Sequence, residues 1–372
     1  MLDIIIFFEV YCFFFSLVLL SLYNFSKIDY DWDLPAYIGC VMKKSNDKTP
    51  LILHQNVYLE LKEKLSDREY LQVIGINETN QYRNFVSKDA DSYYQQLRYY
   101  DIKVLYIDSV WIINFFINQT ITSIYLLNAI CFVLFGFLIF KILFKFCNLS
   151  FFSCYLITLS ICLLPVVANL VRIASPDLMV FVLILFLCYS FFNGFNYKYQ
   201  IFITLLIVGT RPDYILFTVL YLILIFFIEK KIKYYVLAIG VLCNFAFYFC
   251  ILYYYNYPGW ESLFYDTFIH RRLNISTELA VLTFQDYWNV LVRNVYNFKK
   301  IGLISLILLG LSYFLVKQKK LEKYNFFLIL LMFFSLYFKY LFFPASGEIR
   351  FFIIYLLMMG LYILNPKRII SI

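Results

Sequence analysis

"ITSIYLLNAICFVLFGFLIF", residues 121–140, runs for twenty residues without a charged side chain, and stretches like it recur along most of the chain. A helix of that length rises about 30 Å, the thickness of the hydrocarbon layer of a bilayer. In lipid every backbone N–H and C=O needs an internal partner, so such runs fold as helices. A water-soluble protein of 372 residues could bury a large core, but not this many uninterrupted apolar runs. Composition agrees: 63% of residues are hydrophobic and mean hydropathy is +0.74, where soluble domains are roughly half apolar. The expected fold is all-α: a single polytopic membrane domain over residues 1–372 with about ten transmembrane helices. The first run, "IIIFFEVYCFFFSLVLLSLY", lacks a basic leader and a small-residue cleavage site, so it is read as a retained first helix rather than a signal peptide.

Orientation follows from where Lys and Arg collect. The segments around Lys141–Lys145, Lys198, 229–233 ("EKKIK"), 317–323 ("KQKKLEK") and 367–368 hold twelve Lys or Arg against two Glu. That bias marks cytoplasmic loops. The remaining loops then face outward: 24–103, 169–176, a turn near 209–212, 256–298 and 344–349. The loop 24–103 has eleven basic and twelve acidic residues, so the net charge of +8 reflects topology. No basic patch with interleaved aromatics calls for nucleic acid as a partner.

Parity constrains two segments. "VLYIDSVWIINFFI", 104–117, is short and carries Asp108 and Asn114; it is expected to be a juxtamembrane or re-entrant helix, with 121–140 as the crossing. Residues 199–228 begin and end on the cytoplasmic side, so the chain must turn between, and "GTRPD" (209–213) holds the helix breakers. The arm 199–209 rises only about 16 Å, which places Arg211 below the outer surface, in a cavity the protein must supply. Within the long outer loop, Val57, Leu61 and Leu65 share one helix face, as do Tyr93, Leu97 and Tyr100. Both are expected to lie along the membrane, where Tyr suits the interface. The nine cysteines form no CxxC and no Cys/His cluster, so they suggest neither disulfides nor zinc.

Several short segments on the outward side resemble the GT-C superfamily of membrane glycosyltransferases. "DLPAY", Asp33 to Tyr37, is similar to the D-E-x-x-Y start of the first outer loop in the aminoarabinose and dolichyl-phosphate-mannose-type branches; Leu34 replaces the second acid and Asp31 supplies one earlier. "QQLRYYDIKVLYIDSVWII" resembles the family's aromatic-basic lead into a helix, without its proline. "SPDLMVF" with Asp177 resembles the acid of the second outer loop, "TRPDYIL" the family's "TRE" segment, and "GEIRFFI" its E-x-R-Y before a late helix. The resemblance implies a polyprenyl-phosphate sugar donor and a glycan or lipid-linked acceptor. It also implies a bacterial cell membrane with the site on its outer side, amid membrane lipids.

The residue types suit that chemistry. Transfer to a hydroxyl needs a base for the acceptor proton, which a positioned carboxylate supplies. It also needs a cation for the departing phosphate, to which arginine's planar fork is matched. One carboxylate opposite the leaving group gives inversion. Asp33 is the expected base, with Asp31 as second choice. Arg350 and Arg211 are the phosphate candidates, with Arg271 and Arg272 of "FIHRRLN" as further ones. Asp177 and Glu348 complete the substrate-binding set. No cofactor follows from these motifs; a divalent ion would draw on Asp177. Bland readings stand beside these: Asp31 and Asp33 as solvated loop acids, Ser175–Pro176–Asp177 as a helix start, Arg211 with Asp213 and Glu348 with Arg350 as structural ion pairs, and the His-Arg-Arg run as a headgroup anchor. Two other functions fit a polytopic chain. An O-antigen or capsule polysaccharide polymerase would carry its large, Arg-rich loop late, whereas the largest loop here comes first. A polysaccharide flippase or transporter would often show inverted repeats, and none is visible.

Overall fold

A computed structural model describes residues 2–45, 49–76, 81–229 and 232–368, residues 2–10 by their backbone only. Lys230 and Lys231 of the basic loop lie outside the described residues. Among these residues every regular element is a helix. Four helices are long and apolar enough to cross a membrane: Thr120–Phe146, Tyr234–Tyr254, Phe284–Lys317 and Lys323–Phe342. Phe151–Cys162 and Pro165–Arg172, bent by 62° at the break between them, make a fifth if they form one span. The chain is a membrane protein. The count of long helices falls short of about ten because several apolar helices are short. Val104–Ile117, Asp177–Phe192, Ile215–Ile228 and Ile353–Ile363 have 11 to 16 residues, or roughly 17 to 24 Å.

Thr120–Phe146 is the central helix. It packs against Leu2–Phe25, Val104–Ile117 and Asp177–Phe192, with Phe132, Phe135 and Phe181 fully buried between them. Lys323–Phe342 packs against Ile353–Ile363 and Phe284–Lys317, and Ile215–Ile228 joins it to Tyr234–Tyr254. Tyr234–Tyr254 and Phe284–Lys317 turn most of their apolar surface outward, as at Phe249, Tyr253, Leu303 and Ile307. Exposed apolar area of that extent suits lipid tails, which are as apolar as the side chains.

The basic loops gather at one end of the bundle. Arg368 pairs with Glu229 and donates to the Phe191 carbonyl, the Lys367 amide donates to the Phe146 carbonyl, and Asn365 donates to the Lys320 carbonyl. Lys145 bonds Asn193 at the same end. The 24–103 and 256–283 segments meet at the other end.

In the long loop, Val57, Leu61 and Leu65 form the buried face of Pro50–Lys64 and its C-cap. Tyr93, Leu97 and Tyr100 are also buried, which departs from the expected membrane-facing stripe. They cover the Leu34–Ser45 helix, where the Tyr93 hydroxyl donates to the Pro35 carbonyl at 2.6 Å. A Cβ at Gly39 would stand 2.1 Å from that hydroxyl, so glycine here permits a close approach. The helix runs through both Pro35 and Gly39; Pro35 falls in its first turn, where no amide is needed. Tyr37 is buried inside. The second outer loop ends earlier than residue 298. A capping box between Thr283 and Asp286 starts the next helix at Phe284, leaving a loop over 256–283 that holds the short helix Trp260–Phe268.

Candidate functional site

At the end opposite the basic loops the helices enclose a cavity of about 820 Å³, within the range of small-molecule sites. Six of the eight candidate residues line it: Asp33, Asp177, Arg211, Arg271, Glu348 and Arg350. They come from five separate segments of the chain.

Local breaks in the helices position these side chains. Tyr197–Thr210 ends before the proline at 212, leaving Arg211 extended (φ −147°) before a 3-10 turn, Pro212–Tyr214. Arg211 therefore sits at the expected break and points inward. Its Nε and Nη2 donate to the two carboxylate oxygens of Asp213 at 3.1 and 3.0 Å, and its Nη1 donates to Asp177. Lys339 adds a second cation on Asp213. Asp177 also accepts from the Ser175 hydroxyl at 2.6 Å. Two acids and two bases thus close a neutral network in which each carboxylate is held by a cation.

Asp33 and Arg350 are arranged differently. Asp33 precedes the Leu34–Ser45 helix, and its Oδ1 accepts from the Tyr100 hydroxyl at 2.5 Å. Its Oδ2 lies 3.9 Å from Arg350 Nη2. Arg350 Nε is 3.2 Å from Glu348, yet that nitrogen is shut from solvent and makes no hydrogen bond. The Arg350 guanidinium makes no hydrogen bond among the described residues, and its terminal Nη groups, one of them facing Asp33, rather than the closed-off Nε, are the donors left for a ligand. Burial opposes its charge, but the carboxylates of Asp177, Asp33 and Glu348 outweigh it and raise its pKa.

Asp31 and Arg272 stand outside the cavity wall. Asp31 Oδ1 is shut from solvent with no hydrogen-bond partner. Burial, and then the neighbouring Asp33 charge, push its pKa well above the usual carboxylate range. Of the two acids, only Asp33 lines the cavity. Arg272 grips both oxygens of Asp266 at 2.7 and 2.9 Å and donates to the Glu278 carbonyl at 2.7 Å. Tyr99 donates to Asp266 at 2.5 Å. Arg272 is thereby a loop lock rather than a ligand group.

Tyr100, Lys103, Asp213 and Lys339 also line the cavity and were not among the sequence candidates. Lys339 carried a signal, being the lone charge of "FFSLYFKYLFF", and a charge inside an apolar helix marks a partnered or functional site. Lys103 ends the aromatic-basic segment. Its ammonium donates to the Tyr37 hydroxyl at 2.9 Å and lies 4.3 Å from the centre of the Tyr100 ring. Burial lowers its pKa to about 8, against the pull of Asp33.

Much of the remaining wall is apolar. Phe245, Tyr248 and Leu252 come from Tyr234–Tyr254, and Phe338 and Phe342 from Lys323–Phe342. Phe245, Phe338 and Phe342 keep accessible surface. Among the described residues no three His, Cys, Asp or Glu side chains gather as a metal site. Asp177 has both oxygens engaged, so the set does not fit a divalent ion. No family model, curated protein or solved structure matches the chain, and any functional reading rests on the site.

Proposed function

We propose that the chain is a GT-C-like inverting glycosyltransferase that moves a sugar from a polyprenyl-phosphate carrier to a hydroxyl of a glycan or lipid-linked acceptor. The observation that carries this reading is the Asp33–Arg350 pair, a carboxylate and an under-used guanidinium facing each other beside an apolar wall. In the reaction Asp33 takes the acceptor proton. The acceptor oxygen bonds the anomeric carbon, and the carbon–oxygen bond to phosphate breaks with its electron pair going to the phosphate. Arg350 meets the charge that develops there. The apolar wall suits the isoprenoid chain, which reaches it from the lipid.

In this reading the chain crosses the membrane ten times. The first helix, the bent pair and the four short helices Asp177–Phe192, Tyr197–Thr210, Ile215–Ile228 and Ile353–Ile363 join the four long ones. The short helices leave room for a water-filled cavity at one face. The basic end is cytoplasmic by its Lys and Arg excess, and the cavity opens on the outer side of a cell membrane.

The test is transfer by the purified chain from a panel of polyprenyl-phosphate sugars, reading released polyprenyl phosphate against sugar transferred. Stoichiometric release is expected. Arg350→Lys keeps the charge but loses the fork, and turnover should drop at least about tenfold, in line with a lost transition-state contact. No transfer from any donor defeats the reading; wild-type turnover in Arg350→Lys removes Arg350 from it.

A further inference from the structure

Arg271 is a cation on the cavity wall whose charge the protein leaves unmatched. Arg211 and Lys339 are paired with Asp177 and Asp213, and Arg350 faces Glu348 and Asp33. Arg271 has no carboxylate partner among the described residues. The nearest acid on its loop, Asp266, is held by Arg272. The Arg271 guanidinium lies instead 5.1 Å from the centre of the Trp32 ring and 4.6 Å from that of Tyr82. A cation over aromatic faces is stabilised but keeps donors for an anion.

The corner is rigidly built. The Arg272 lock fixes the neighbouring backbone, with its own amide 3.4 Å from Asp266 Oδ1. Two further bonds fasten this loop to the first one: Ser92 donates to Asn274 at 2.5 Å, and the Ser276 amide donates to Gln95 at 2.9 Å. Arg271 is thus presented by a loop pinned on both sides. Its surroundings, Trp32, Tyr82, Tyr99 and Tyr100, belong to the outer-loop segments and not to the lipid-facing wall. Trp32 is also the residue immediately before Asp33. A cation among these aromatic and phenolic groups suits a polar occupant that bears a negative charge.

We propose that Arg271, on the faces of Trp32 and Tyr82, is the subsite for an anionic group on the acceptor, so that the acceptor is an acidic or phosphorylated saccharide. The assignment to an acceptor rests on the glycosyltransferase reading; the anion subsite itself does not. The charge could be a sugar carboxylate or a phosphate, and the probes below separate them.

The experiment titrates the purified full-length chain with glucuronate, glucose 6-phosphate and glucose, reading binding by the shift in thermal unfolding. At least one charged sugar should bind tenfold or more tightly than glucose. Preference for glucuronate alone identifies a carboxylate, and for glucose 6-phosphate alone a phosphate. Arg271→Gln should abolish the preference. Arg271→Lys retains the charge over the rings, tests the point should the glutamine variant not fold, and should bind the preferred sugar at least threefold more weakly. Equal binding of all three sugars, a preference that survives Arg271→Gln, or an unchanged affinity in Arg271→Lys overturns the subsite. Binding needs no donor and no turnover. Anion preference without sugar transfer therefore defeats only the enzymatic reading, and transfer without the preference defeats only the subsite.

Discussion

Two ion clusters share one cavity wall and use the same kinds of residue to opposite ends. In the Asp177–Arg211–Asp213–Lys339 cluster each charge meets an opposite charge, and the fork of Arg211 is filled by the two oxygens of Asp213. In the Asp33–Arg350 pair the partners are 3.9 Å apart, and among the described residues the terminal Nη groups of Arg350 make no hydrogen bond. A closed network fixes the helix break at Arg211. An open pair keeps its capacity for something that enters the cavity. Residue type alone does not separate a structural arginine from a binding one; how many of its donors are already used does.

The sharpest way to break this contrast is at Asp33. Asp33→Asn keeps the size and the place of the side chain but removes the basic oxygen. Turnover should fall by roughly 10²- to 10⁴-fold, with thermal unfolding little changed. Asp31→Asn changes a carboxyl outside the cavity wall and should transfer sugar at close to the native rate. The reverse pattern in a transfer assay would make Asp31 the base.

The closed cluster should respond in stability instead. Asp177→Asn leaves Arg211 and Lys339 facing Asp213 alone, one uncompensated positive charge in a buried setting. Removing one partner of a buried pair costs about 3 to 5 kcal/mol, readable as a lowered unfolding midpoint in detergent. Adding Lys339→Met restores neutrality and should recover much of the loss. A double variant no more stable than Asp177→Asn would mean that charge balance is not what holds the cluster.

The sequence made the membrane class, the break at Arg211 and the shared sidedness of the charged motifs readable, because bilayer thickness and Lys/Arg bias act on composition and spacing. It did not separate Arg271 from Arg272. The two are adjacent and chemically identical, and their fates depend on Asp266 and Tyr99, contributed by other turns of the fold. It also misjudged Tyr93, Leu97 and Tyr100. A stripe of aromatic and apolar residues looks the same whether it meets lipid or another helix, and only Gly39, which admits Tyr93, distinguishes the two. Lys103 was hidden for a similar reason, since a basic residue at a loop end ordinarily means a solvated one.

Lys103 gives the smallest and most direct check on the open side of the wall. Its ammonium stands between the Tyr37 and Tyr100 rings, and Tyr100 holds Asp33. With a pKa lowered to about 8 by burial, it is mostly charged at neutral pH and neutral above that value. The unfolded chain keeps the proton to about pH 10.4. Between about 8 and about 10.4 the unfolded state therefore binds more protons than the folded one, and stability rises with pH across that window. Under the proposed reaction activity should move the other way: as the ammonium discharges, the wall loses a positive charge near where the leaving phosphate is proposed to sit. Transfer should fall by about half near pH 8 while the unfolding midpoint rises. Lys103→Arg stays charged across the range, and should carry the activity limb to higher pH. A limb that remains at pH 8 in Lys103→Arg would assign it to another group and leave Asp33 and Arg350 as the only charges on the open side that the reaction uses.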